Sequence, residues 1–370
     1  MQTLLLVALH LLPQPHQQHT RPYQQIDRAP YATAAKRIYA TANDQTTSNT
    51  NPTTTPATTT LSTPSATTSP PPSFLALLDQ ACDAANRARA DGTLLMEIEF
   101  PPVPLSKLDD SSISAYDLLS ANLQLASEFA KRILPDLGGP LAITLPDTSE
   151  RVRAAEMMGS DEPREGVKLW ALEGGDAEPS PFGFLDSVFK RSESAVVAAP
   201  WASAYLVLGA SCQELPALRR LAELQPDVPI ICFNLKLDTL RGDLGLPAFP
   251  PKSLQHEFLC KIKPVYYMRP RSYSLSLSRP PFLLRYSGVL FRCYPEGYQT
   301  LLDRGKGSYR QVLVQQDRPA LGAFKSELTK ALKIDDEDAS ASAISQTGFK
   351  QATWWEEDVE KLDQSADWRL

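Results

Sequence analysis

The stretch AYLVLGASCQELPALRRLAELQPDVPIICFNLKLD, residues 204–238, constrains the fold of this chain more than any other. It opens and closes on short apolar runs that show no alternation of polar and apolar residues. A strand of that kind must be covered on both faces, as happens when helices sandwich a parallel sheet. Between the runs, CQELPALRRLAELQP reads as a helix long enough to carry the chain back to the start of a parallel neighbour. The unit predicts an α/β fold in three layers with a mainly parallel sheet.

The flanking sequence repeats this grammar. SFLALLDQACDAANRARADG (73–92) predicts a helix with Ser73 as N-cap. Its apolar face is Phe74, Leu77, Leu78, Ala81 and Ala85, and it stops near Gly92. SAYDLLSANLQLASEFAKRILPDLGG (114–139) predicts a second, amphipathic through Leu119, Leu123, Ala126, Ala130 and Ile133 and ended by Pro135 and Gly138. LAITLPD and GVKLWAL read as strands around the helix TSERVRAAEMMG. Later, PVYYMRP, SGVLFRCYP and YRQVLVQQ read as strands near a sheet edge, and PALGAFKSELTKALK as a closing helix.

The foldable part is bounded by composition. Residues 45–73 contain twelve Thr and no charge. They cannot bury enough apolar area to offset their ordering entropy, so 45–73 is expected to be a disordered linker. Residues 1–44 are acid-poor and carry Arg21, Arg28, Lys36 and Arg37, the composition of an organellar targeting leader. The apolar opening MQTLLLVALHLLP is too short to span a bilayer and leaves a secretory signal or a bipartite leader open. Residues 74–334 then form a single α/β domain, followed by an acidic segment, 335–370.

Several chemistries lack their residues. The five cysteines are widely spaced, with no CxxC pair, and read as small buried hydrophobes; no metal site is expected. Only His256 lies outside the leader, so no histidine-based catalytic constellation can be assembled. Neither glycine-rich phosphate signature is present. DRGKGSYR (303–310) reads as a hairpin loop, and Asp147 and Thr148 of LPDTSERVR stand at a strand end before a helix, either at a ligand crevice or, more plainly, as helix caps. Glu97 and Glu99 alternate in MEIEF and share one side of a strand, either as a carboxylate pair or as a half-exposed face.

Charge is segregated. Residues 236–334 hold 17 basic and 7 acidic side chains, against 3 and 10 in 335–370. No acid occurs between Glu257 and Glu296, where Lys261, Lys263, Arg269, Arg271, Arg279, Arg285 and Arg292 interleave with Tyr266, Tyr267, Tyr273, Phe282, Tyr286 and Phe291. That pattern suits an anionic surface, or one face of a domain neutralised by acids folded against it. The acidic terminus GFKQATWWEEDVEKLDQSADWRL carries Trp354, Trp355 and Trp368. Thr353 and Glu356 are placed to cap a short helix there, and the tryptophans suit docking on their own domain or on a partner.

FNLKLDTLRGDLGLPAFPPK, PVYYMR, the run PFLLRYSGVLFRCYPEGYQTLL and the closing ATWWEED together resemble the plastid low-photosystem-II-accumulation family, most closely its third type. The similarity spans roughly residues 93–370. One departure is Glu296-Gly297-Tyr298, where that family's turn carries a Gly-Pro-Trp-like sequence. The resemblance implies an auxiliary factor for photosystem II assembly, in the chloroplast stroma or peripheral to the thylakoid membrane. It implies as partners a chlorophyll-binding core antenna subunit, other assembly factors and the Albino-type thylakoid insertase. It brings no catalytic residue, cofactor or nucleic acid. The alternative from the residues is an α/β enzyme or a protein binding a small anionic ligand through the 234–292 region. The candidate binding residues are Asn234, Lys236, Arg241, Arg269, Arg271 and Arg292, with Trp354 and Trp355 for a partner. Arg241 and Arg269 suit bidentate clamping of an anion; capping carbonyls or pairing with acids is their plainer use.

Overall fold

The computed structural model describes residues 67–104, 107, 113–176, 196–241, 252–277, 280, 282–333 and 369. Trp354, Trp355 and Trp368 lie outside these, as do the leader, the linker up to residue 66 and nearly all of the acidic C-terminal segment.

The chain runs α1 (Phe74–Ala90), β1 (Leu95–Glu99), α2 (Ala115–Leu137), β2 (Leu141–Asp147), α3 (Thr148–Met158), β3 (Val167–Glu173), β4 (Ala204–Val207), α4 (Leu215–Leu224), β5 (Ile230–Phe233), α5 (Leu237–Arg241), α6 (Lys252–Glu257), a 3-10 turn (Leu259–Lys261), β6 (Lys263–Ser276), β7 (Leu283–Cys293), β8 (Tyr298–Asp303), β9 (Tyr309–Gln315) and α7 (Leu321–Ala331). Among the described residues the nine strands form one sheet, ordered β3-β2-β4-β5-β1-β6-β7-β8-β9. From β3 to β6 all neighbours are parallel; from β6 to β9 they are antiparallel. The three-layer α/β reading therefore holds, and β4-α4-β5 is the parallel unit with Tyr205 opposite Ile230. Strand β6 is not near an edge. It joins the parallel and antiparallel halves, because its first residues pair with β1 while Tyr266 to Ser276 pair with β7.

Alternation along the strands divides the core. Met96, Ile98, Ile143, Leu206, Ile231, Phe233 and Tyr266 meet α1 and α2 through residues such as Leu78, Ala81, Phe129 and Ala130. Tyr205, Val207, Ile230 and Cys232 face the opposite layer, built from Leu215, Leu218 and Leu221 of α4, Leu237 and Leu240 of α5 and Leu254 of α6. Farther along that face, Tyr267, Leu290, Tyr298 and Leu302 lie against Phe324 and Leu328 of α7. Gly288 is required where α7 crosses β7: a Cβ there would lie 2.6 Å from Leu328 Cδ1 and 2.7 Å from the Leu301 carbonyl oxygen. Among the described residues no helix is long and apolar enough to cross a membrane.

The helix ends follow local chemistry. Ala76 N donates to Ser73 Oγ (3.2 Å), Glu150 N donates to Asp147 Oδ1 (2.8 Å), and Ser114 and Asp117 close a capping box on α2. Helix α2 does not stop at Pro135 but runs to Leu137, with Gly138 left-handed at its C-cap. Proline cannot donate to the Lys131 carbonyl, yet one lost bond in the final turn leaves the rest of the ladder intact. The loop DRGKGSYR joins β8 to β9, with Gly305, Lys306 and Gly307 all at positive φ.

Residues 67–73, which composition places at the end of the linker, are tied to the antiparallel half. Thr68 N and Thr68 Oγ1 donate to the two carboxylate oxygens of Glu296 at 2.7 and 2.6 Å. Gln299 Nε2 donates to the Thr68 carbonyl oxygen (2.8 Å). Glu296→Ala leaves both Thr68 donors without their acceptor. It is expected to lower stability by about 1–3 kcal/mol, the usual cost of unsatisfied polar groups, and to speed proteolysis ahead of Phe74. Urea melts and limited proteolysis of the variant check this.

Candidate functional site

Strands β1 and β5 are parallel neighbours whose connections leave in opposite directions. From β1 the chain passes through α2 toward β2; from β5 it passes through α5 and α6, across β1, to β6. With α2 on one face and α5 and α6 on the other, the carboxyl ends of β1 and β5 form the switch point at which open α/β sheets usually carry a ligand crevice. Glu99, Asn234 and Lys236 fall there, with Glu97 buried in β1 and Asp238 on α5 beside them.

The turn after β5 is shaped by two residues other than glycine at positive φ, Asn234 (53°) and Lys236 (55°). Asn tolerates that region through its short polar side chain; Lys does so at a cost of order 1–2 kcal/mol. Both are held from outside. Phe100 N donates to Asn234 Oδ1 (2.8 Å), and Asn234 Nδ2 donates to Asn122 Oδ1 on α2 (2.8 Å). Lys236 N donates to Glu99 Oε2 (3.0 Å). The turn aims Asp238 and Arg241 of α5 back under the sheet.

There they join a network of buried charge. Arg241 Nη2 donates to Glu97 Oε2 (3.0 Å), and its Nη1 to Asp238 Oδ1 (3.2 Å). Asp238 Oδ2 is shared by four groups. Tyr267 Oη donates to it at 2.5 Å, Arg318 Nη2 donates to it, Arg269 Nη1 lies 3.0 Å away and Arg271 Nη2 3.5 Å away. Arg318 Nη2 also donates to Tyr267 Oη (2.7 Å), and its guanidinium carbon lies 4.6 Å from the Tyr267 ring centroid. Depth is graded: the side chains of Arg241 and Arg318 are 2% and 5% exposed, those of Arg269 and Arg271 27% and 22%. The two strand arginines therefore stand at the mouth.

The carboxylates respond differently to this setting. Burial alone would raise the Asp238 carboxyl, but Arg318, Arg269 and Arg241 outweigh it and hold it well below the ordinary range. Burial and the nearby Asp238 charge push Glu97 up against the pull of Arg241. Burial, reinforced by Glu97, pushes Glu99 up to about 7, with only the Lys236 amide and Arg269 pulling the other way. At neutral pH four guanidiniums face one firmly ionised carboxylate and two whose ionisation burial opposes.

Of the residues singled out from sequence, Asn234, Lys236, Arg241, Arg269 and Arg271 come together around this crevice. Arg292 stands one step away. It is opposite Tyr267 in the β6–β7 register, donates through Nε to the Glu296 carbonyl oxygen (3.2 Å) and lies 4.8 Å from the Tyr298 ring centroid. Trp354 and Trp355 are outside the described residues, although Arg318 N donates to the Arg369 carbonyl oxygen (2.9 Å). Glu97 and Glu99 do share a strand face, but as members of an ion network. Sequence reasoning missed Asp238, Tyr267 and Arg318 as participants. The spacing of Asp238 and Arg241, three residues apart on one helical face, is the signal that points to the first; none points to Arg318, 80 residues farther on.

Residues 71–326 match a family model described as Domain of unknown function (DUF1995), and the chain belongs to that family. No curated protein and no solved structure matches it. Every member of the network lies within the matched residues, whereas Trp354 and Trp355 lie beyond them.

Proposed function

We propose that this DUF1995 chain is an auxiliary factor for photosystem II assembly, acting without catalysis by binding an assembly intermediate at the thylakoid surface of the chloroplast. What supports the reading is where the family-like residues fall. FNLKLDTLR supplies Asn234, Lys236, Asp238 and Arg241, and PVYYMR supplies Tyr267 and Arg269, so two of the stretches that carry the resemblance meet at one network. The acid-poor leader fits import into the organelle. The partners proposed with this function are a core antenna subunit, companion assembly factors and the Albino-type insertase, with peripheral membrane contact.

The test is loss of function. A null strain is expected to accumulate less photosystem II at near-normal photosystem I, with pulse-labelling blocked at assembly of the core antenna and transcripts unchanged. Residues 1–73 fused to a fluorescent protein are expected to enter plastids. Equal loss of both photosystems, or cytosolic or secreted fluorescence, overturns the proposal.

A specific observation favours a second reading, a protein that binds a small anionic ligand at the carboxyl-end crevice. Guanidiniums outnumber carboxylates there, and two of them stand partly exposed at its mouth.

A further inference from the structure

We infer that Arg269 and Arg271 form the entrance of an oxyanion subsite built for a phosphate monoester, with Asp238 as the internal anion that holds the guanidiniums in place behind it. The inference rests on the second reading above and names its ligand class.

Three observations carry it. First, Arg269 and Arg271 are two apart on β6 and so project from one face, about 7 Å apart along the strand. Two guanidiniums at that spacing can flank one tetrahedral group. Second, their donors are under-used. Asp238 Oδ2 already receives Tyr267 Oη and Arg318 Nη2, which leaves Arg269 and Arg271 only long or poorly aligned approaches to the same oxygen. The Nε of Arg271 is a buried atom without a hydrogen-bonded acceptor, and Arg269 Nη1 is ion-paired to Asp238 Oδ2 at 3.0 Å without hydrogen-bond alignment. A buried donor left so destabilises the fold, a penalty that an incoming oxygen would relieve. Third, the charge does not balance. Four guanidiniums meet three carboxylates, two of which burial holds toward the neutral form.

The ligand class follows. A planar carboxylate offers two coplanar oxygens and one charge, much as Asp238 already does, and a dicarboxylate such as malonate matches the charge of phosphate but divides it between two centres. A phosphate monoester offers three oxygens to two arginine forks and nearly two negative charges, matching the surplus. With neither glycine-rich phosphate loop in the sequence, the arginine forks themselves must do the binding.

Calorimetry of the full chain with inorganic phosphate, glycerol 3-phosphate and malonate at pH 7 tests this. Phosphate and its ester are expected to bind, malonate to bind at least tenfold more weakly, and Arg269→Ala with Arg271→Ala to weaken phosphate at least tenfold. Arg285→Ala, exposed on β7 away from the network, is expected to bind as the parent does. Far-ultraviolet circular dichroism tests whether the double variant is folded; if it is not, Arg271→Lys alone is expected to weaken phosphate measurably. Binding of malonate without phosphate overturns the ligand class and leaves the anion-binding reading standing. No binding of any anion overturns both. Phosphate binding unchanged in the double variant, or in a folded Arg271→Lys, overturns the residues assigned. Sedimentation of the chain with phosphatidic acid vesicles, whose headgroup is a phosphate monoester, competed by inorganic phosphate, would assign the phosphate to a lipid headgroup; binding of glycerol 3-phosphate without sedimentation assigns it to a soluble ester.

Discussion

Asp238→Asn is expected to lower the stability of the fold by about 3–5 kcal/mol, the range for removing one partner of a buried ion network. Asparagine keeps the volume and one acceptor oxygen, so the loss isolates charge. Four guanidiniums converge on Asp238 within 3.5 Å, and Arg241 and Arg318 are almost wholly buried. An arginine cannot escape by giving up its proton, because guanidinium stays charged at any pH the fold survives. The reverse change, Arg241→Met, should cost less: Glu97, which burial already pushes upward, can neutralise itself by binding a proton. Urea melts of the full chain and both variants check the asymmetry. A midpoint for Asp238→Asn within about 1 kcal/mol of the parent would mean the network is hydrated and the charge screened. Adding Arg318→Met to Asp238→Asn is expected to restore part of the loss, since it removes one of the stranded cations.

Glu99→Gln is expected to reshape the pH dependence of stability. The Glu99 carboxyl titrates at about 7 in the folded protein, against about 4.3 in an unfolded chain. Between those values the native state holds a proton that the unfolded state has released. This group's contribution is therefore fully present below about pH 4 and is lost as pH rises through about 7. Glutamine mimics the protonated form and still accepts from the Lys236 amide. The variant should match the parent near pH 4 and exceed it by about 3 kcal/mol at pH 8. Melts across pH 4–8 read the effect; a difference independent of pH would show that Glu99 is hydrated and titrates normally.

Much of the scaffold was legible in the residues. The apolar runs at 204–207 and 230–233 became adjacent parallel strands, and Ser73, Asp147 and Gly138 became the caps their residue types favour. The basic, aromatic stretch 258–295 was harder to read. Its interleaving is largely strand alternation on β6 and β7: Tyr266 turns into one core and Tyr267 into the other, while Arg269 and Arg271 turn toward Asp238 rather than forming a bare surface. Asn234, Lys236, Arg241, Arg269 and Arg271 were named from sequence, but the acid that gathers the arginines was not. Asp238 looks like any first-turn acid of a short helix until the sheet brings β6 and the segment before α7 against it.

Caps, turns and hydrophobic periods depend on neighbours within about four residues, so the sequence by itself determined the longer helices, the buried parallel strands and the three-layer class, but not the short helices α5 and α6. The crevice depends on the order in which strands join. Only the crossing of β5 over β1 to β6 places Glu97, Asp238, Tyr267 and Arg269 side by side, and only the return of the chain after β9 adds Arg318. Those contacts span 29 to 144 residues. Their pairing is decided by burial and charge balance across the whole sheet, and no local pattern encodes it.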